Sequence, residues 1–146
     1  MKKYLLISTL VFSSIVLLFT VSCGKKSGEE GKVYFSTIQS DSNAIINDVR
    51  EFWISDIKKN GLWGRVKFKN KNTGKISEIL EAPDGSTVYQ HWSEINPEWP
   101  TMNTKIKIDQ YGFQIIPGKY TFYVHTGTRM DNSTPVLLGT GTFTLK

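Results

Sequence analysis

The chain holds one cysteine and two histidines among its 146 residues, and those scarcities exclude much. A lone thiol at Cys23 has no internal partner, so no disulfide framework explains it. A zinc site needs several ligands converging on one point. His91 and His125 instead sit in strand-like patterns beside aromatic residues, and Glu94, three after His91, is the only hint of a further ligand. Both read as surface histidines, with no metal implied. The G-x-S-x-G elbow, H-E-x-x-H, phosphate-binding loops and dinucleotide fingerprints are all missing. Adjacent carboxylates occur at Glu29-Glu30, in a polar stretch where nothing would shift their pKa for acid–base work. These absences argue for a protein that is not an enzyme, with no catalytic residues and no cofactor.

Strong charge is lacking too. The formal net charge is +5; the first 22 residues hold Lys2 and Lys3 and no acid, so the remainder carries +3. That is ordinary for a soluble domain and gives no reason to expect nucleic acid as a partner. No repeat at a fixed period is visible. Long hydrophobic runs are confined to the beginning, where Met1-Lys2-Lys3 leads into an apolar stretch from Tyr4 to Phe19. A spanning helix wants about 20 apolar residues. This run is shorter, is interrupted by Ser8, Thr9, Ser13 and Ser14, and stops at a small residue before Cys23. It reads as a cleaved signal peptide over residues 1–22.

At its end, Thr20-Val21-Ser22-Cys23 resembles the lipobox of bacterial lipoproteins, in which a small residue precedes a Cys that receives a diacylglyceryl group. Val21 and Ser22 match the pattern; Thr20 stands where that family usually has Leu. The resemblance implies a lipid on Cys23 and a membrane as partner through that lipid. The chain would then reside in the bacterial cell envelope. Gly24, a residue other than Asp after the cysteine, implies delivery to the outer membrane, with the periplasmic and surface faces both open. Residues 23–32, polar and rich in glycine and lysine, read as a flexible tether.

Residues 33–146 suit one domain with its own core. They are rich in Thr, Tyr, Phe, Ile, Val and Trp, with Gly, Asn, Asp and Pro between apolar runs, which reads as mainly β. Tyr120, Phe122 and Val124 alternate with Thr121, Tyr123 and His125; Phe143 and Leu145 alternate with Thr142 and Thr144. Gly139 and Gly141 suggest a bulge or a close backbone approach. Upstream, Leu62 to Lys69 alternates strictly, and Ile76–Glu81 and Ser86–Trp92 flank a turn at Ala82-Pro83-Asp84-Gly85. Val33 to Ile38 would open the domain. Ile106 and Ile108, then Phe113 and Ile115, mark another strand or two. Residues 43–58 stay open between one short helix, begun near Asp41 or Ser42, and an early strand at Glu51-Phe52-Trp53-Ile54.

The segments Pro117-Gly118-Lys119-Tyr120-Thr121-Phe122-Tyr123-Val124 and Leu138-Gly139-Thr140-Gly141-Thr142-Phe143-Thr144-Leu145 resemble the last two strands of immunoglobulin-like bacterial extracellular domains. The resemblance implies a single immunoglobulin-like antiparallel β-sandwich, and nothing about activity.

Two surface features stand out as candidates for partner binding. Arg65, Lys67, Lys69 and Lys71 fall on alternate positions, either as a basic stripe for anionic headgroups or sugars or as the lysines of a protected edge strand. Trp92 and Trp99 flank a proline-bounded loop, either as an interface anchor or folded back to cap the sandwich. Three functional classes follow: a lipid-anchored, non-catalytic interaction module with an unidentified protein or glycan partner; an inhibitor of an attacking hydrolase such as lysozyme or a protease; and a carbohydrate-binding or enzymatic envelope domain using the aromatic loop.

Overall fold

The computed structural model describes residues 29–38, 49–109, 112, 114–127 and 134–146. Residues 1–28, Cys23 among them, and residues 39–48 lie outside them. The described chain forms eight strands and one helix: β1 (Val33–Ser36), β2 (Glu51–Phe52), α1 (Ile54–Asn60), β3 (Leu62–Lys67), β4 (Lys75–Glu81), β5 (Thr87–Glu94), β6 (Thr101–Ile106), β7 (Gly118–Thr126) and β8 (Leu137–Leu145). Two sheets pack face to face, one in the order β1-β3-β6 and the other β2-β8-β7-β4-β5.

The alternation seen in sequence becomes the inner and outer faces of these sheets. Leu62, Gly64 and Val66 of β3 point inward, as do Tyr120, Phe122 and Val124 of β7 and Phe143 and Leu145 of β8. Their aromatic rings form the centre of the core. Phe35 and Phe143 lie 4.8 Å apart, Tyr120 stacks on Phe143 at 5.5 Å, and Phe122 meets Phe35 edge-on at 6.4 Å.

The strand order of the sandwich matches the immunoglobulin-type arrangement. β1, β3 and β6 occupy the places of strands A, B and E, while β4, β7 and β8 occupy those of C, F and G, with β5 added beside C. The Tyr120 hydroxyl donates to the Ile116 carbonyl at 2.9 Å and accepts the Ile116 N–H at 3.2 Å. This is the tyrosine corner of that architecture. Two residues after that tyrosine, where antibody domains have a disulfide cysteine, this chain has Phe122, fully buried. Aromatic packing therefore holds the sheets together where a disulfide otherwise would.

Four expectations change. All strand pairs are antiparallel except β2–β8, which is parallel, so the sandwich is antiparallel with one exception. The ambiguous segment contains both alternatives: Glu51–Phe52 is a strand and the helix occupies Ile54–Asn60, because Val49 and Trp53 are exposed while Phe52 and Ile57 pack inward. No strand forms at Ile115, whose partly buried side chain rests on the core from a loop; Phe113 lies outside the described residues. Residues 30–32, expected to belong to a flexible tether, are also docked. The Gly31 N–H donates to Lys67 O at 2.8 Å, and the Thr140 N–H donates to Gly31 O at 2.9 Å, tying residues 30–32 to both sheets.

Gly139 and Gly141 allow this docking. A Cβ on Gly141 would lie 2.7 Å from Val33 O and 2.9 Å from the Phe35 ring, and one on Gly139 would collide with Val66. The register shifts between Val124, opposite Gly139, and His125, opposite Leu137, which makes Leu138 the extra residue of a bulge beside Gly139. Both readings of the paired glycines thus hold.

Candidate functional site

β5 and β6 are edge strands of opposite sheets, and the sandwich is open between them. The opening is a cleft of about 500 Å³, lined by Arg65, Glu78, His91, Ser93, Ile95, Trp99, Pro100, Thr101, Met102, Asn103 and Thr104. That size falls within the roughly 300–1,000 Å³ usual for small-molecule sites.

Strand register determines its floor. Ile76, Glu78 and Leu80 share the inner face of β4, and Glu78 stands opposite His91 on β5. A carboxyl therefore occupies a position that alternation reserves for an apolar side chain, and Glu78 is only 1% exposed. Its Oε1 makes no hydrogen bond. Its Oε2 lies 3.5 Å from the Tyr89 hydroxyl, which is also 3.5 Å from Lys105 O across the gap on β6. Both distances are long for hydrogen bonds to oxygen. Burial pushes the Glu78 pKa up; Thr104, His91 and Tyr89 partly offset this. An acceptor desolvated without a partner is costly to the fold.

The rim is a built turn. Trp99 N–H donates to Asn96 O at 3.0 Å, and Asn96 Oδ1 accepts Glu98 N–H at 2.9 Å. The buried Asn72 amide donates to Trp99 O at 2.8 Å, and Phe68 N–H donates to Pro100 O at 2.9 Å. Backbone anchors on both sides hold Trp99 in place, yet its side chain leaves the residue 53% exposed. A fixed backbone under an exposed indole loses little freedom on binding.

The site residues expected from sequence are dispersed. Arg65 and Trp99 line the cleft. Trp92 does not: it belongs to β5 rather than the loop, and pairs with Ser77 on the outer face, across from His125. Trp92 and Trp99 therefore form no common surface. Trp99 is no core cap either, given its exposure.

The basic stripe is also broken. Arg65 and Lys67 share the outer face of β3, but Lys69 and Lys71 lie beyond the strand end. Lys67 pairs with Glu30 at 3.4 Å and Lys71 with Glu98 at 3.5 Å. Nor is β3 an edge strand, since β1 and β6 flank it, so protection of an edge does not explain Arg65 and Lys67.

Of the histidines, His91 is exposed at the cleft, and desolvation lowers the pKa of half-buried His125 on the outer sheet face. Glu94 stands three residues from His91 and so on the opposite face of β5, across from Lys75, which removes it as a co-ligand. Among the described residues no three His, Cys, Asp or Glu side chains cluster as metal ligands.

Glu78 was missed by sequence reasoning. The signal was present: within Ile76-Ser77-Glu78-Ile79-Leu80 the inner-face series runs apolar, acidic, apolar. No known protein family's sequence pattern matches the chain, and no curated protein matches it.

Proposed function

We propose that this chain is a lipid-anchored, non-catalytic binding module of the bacterial envelope, tethered through Cys23, whose recognition site is the cleft between β5 and β6. One observation carries the reading: a buried carboxyl at Glu78, whose Oε1 accepts no hydrogen bond, and a backbone-fixed, exposed indole at Trp99 line the same opening. Such convergence of an aromatic anchor with a few polar groups is what binding sites share. Glu78 is the one carboxyl among the described lining residues. Glycoside cleavage ordinarily employs two, so the arrangement supports recognition over hydrolysis.

The test compares full-length wild type with Trp99→Ala and Trp92→Ala for retention of envelope material. Retention by wild type and Trp92→Ala, with loss in Trp99→Ala, is the expected pattern; equal retention by all three rejects the cleft. For the anchor, Cys23→Ser should abolish acylation and detergent-phase partitioning, read by mass spectrometry. Unchanged partitioning rejects the lipoprotein reading.

The exposed run of residues 96–100 favours a second reading, a hydrolase inhibitor that inserts this turn into an attacking enzyme. Lysozyme and protease activities measured with the chain present separate the two.

A further inference from the structure

The cleft has a chemical character that narrows its ligand, given the reading above that it is the binding site. Among its lining groups Glu78 is the acid and Arg65 the full cation, joined by the imidazole of His91. A cationic ligand would meet Arg65, and an anionic one would meet Glu78. Most other polar groups are uncharged: Ser93, Thr101, Asn103 and Thr104 supply hydroxyls and an amide that both donate and accept. Ile95, Trp99, Pro100 and Met102 supply an apolar wall beside them. The complement of such a surface is a neutral molecule bearing many hydroxyls around an apolar face.

The geometry points to a neutral saccharide, with a sugar ring packed on the Trp99 indole and a sugar hydroxyl donating to Glu78 Oε1, an atom closed to solvent in the free cleft that a small shift of the floor side chains would uncover. That oxygen, which accepts no hydrogen bond in the free cleft, then gains a partner. A hydroxyl satisfies it whether or not the carboxyl is ionised, which suits a group whose burial favours the neutral form. A site arranged to bond a hydroxyl also rejects analogues lacking it, because its own buried group would be left unpaired. Glu78 is thereby the specificity-determining residue and Trp99 the main contact surface.

The test titrates the full chain in detergent micelles with chitotriose, cellotriose, maltotriose and xylotriose, with trilysine as the cationic comparison, following tryptophan fluorescence. At least one trisaccharide should change the fluorescence saturably, and Trp99→Ala should abolish the change. Glu78→Met, which removes the acceptor while keeping the volume, should weaken binding at least tenfold while raising thermal stability. Opposite movement of affinity and stability is something a merely structural role would not produce. Asn103→Ala, on the exposed rim, should weaken binding severalfold without touching the core. Saccharide binding unaffected by all three substitutions overturns the proposal, and so does a response to trilysine with none to any sugar. In the trilysine case loss of the response in Trp99→Ala leaves the cleft standing as a site for cations. Silence of every probe, with envelope material retained equally by wild type and Trp99→Ala, overturns the cleft as well.

Discussion

The two long sides of the sandwich are built on opposite principles. Along β1 and β8 the sheets are knitted together: Gly139 and Gly141 carry no side chains, the Lys69 N–H donates to Leu138 O at 3.0 Å, and residues 30–32 bridge both sheets. Along β5 and β6 the sheets part, and the inward positions of these strands and of neighbouring β4 include Glu78, His91, Ser93 and Thr104 beside the apolar Met102. Closure demands backbone approach, which small residues permit. Opening demands polar groups that remain stable near water, and one of them, Glu78, lies deeper than its chemistry favours. The closed side thus serves stability and the open side recognition, within the same fold.

The largest expected effect comes from the hinge between the two sides. Phe122 touches Phe35 toward the closed side and Tyr89 toward the open one, with ring centroids 6.4 Å and 6.5 Å away. Phe122→Ala should cost about 3–5 kcal/mol in denaturant titration. A loss below about 1 kcal/mol, the scale of ordinary surface changes, would mean that the aromatic centre does not unite the sheets.

Next is the closed side itself. Gly141→Ala places a methyl against Val33 O and Phe35 and should cost about 1–3 kcal/mol by overpacking. Neutral or stabilising behaviour, read as the shift in midpoint, would show that the two sheets have slack there.

On the open side the sign reverses. Glu78→Met should stabilise the chain at neutral pH by about 1–2 kcal/mol, since it removes an unsatisfied buried group. An acid whose folded pKa is raised contributes fully below its unfolded value, about 4.3. That contribution is lost as pH rises through the folded value. The advantage of Glu78→Met should accordingly be small in acid and grow as pH rises through the raised pKa. A melting-temperature difference that is flat with pH would contradict the burial of this carboxyl.

The smallest effect belongs to Trp99→Ala, with a stability change within about 0.5 kcal/mol, as expected for an exposed side chain. A larger thermal loss would make the indole part of the packing and weaken the contrast between the sides.

Much of this was legible beforehand because alternation is local. The inward placement of Phe122, Val66 and Phe143, the hairpin at Ala82-Pro83-Asp84-Gly85 and the use of Gly139 and Gly141 each depend on a few neighbouring residues. The segment from Val49 to Asn60 was ambiguous for the opposite reason. A two-residue strand gains its stability from pairing with β8, and Ile57 recommends a helix only once a surface exists to receive it. The candidate site was half legible: Trp99 and Arg65 were singled out, whereas Trp92, Lys67 and Lys69 went elsewhere when strand ends and neighbours became known.

The sequence by itself determined a β-rich chain with period-two faces and a core that must do without an internal disulfide. The first depends on residue type and spacing along one strand, the second on the count of a single residue type. Only the tertiary structure decided that β3 is central, that β5 and β6 face one another as free edges, and that Glu78, His91 and Trp99 share a cleft. Sheet order depends on pairings between residues dozens of positions apart, and local periodicity, identical for an edge and a central strand, contains no record of which neighbour will dock.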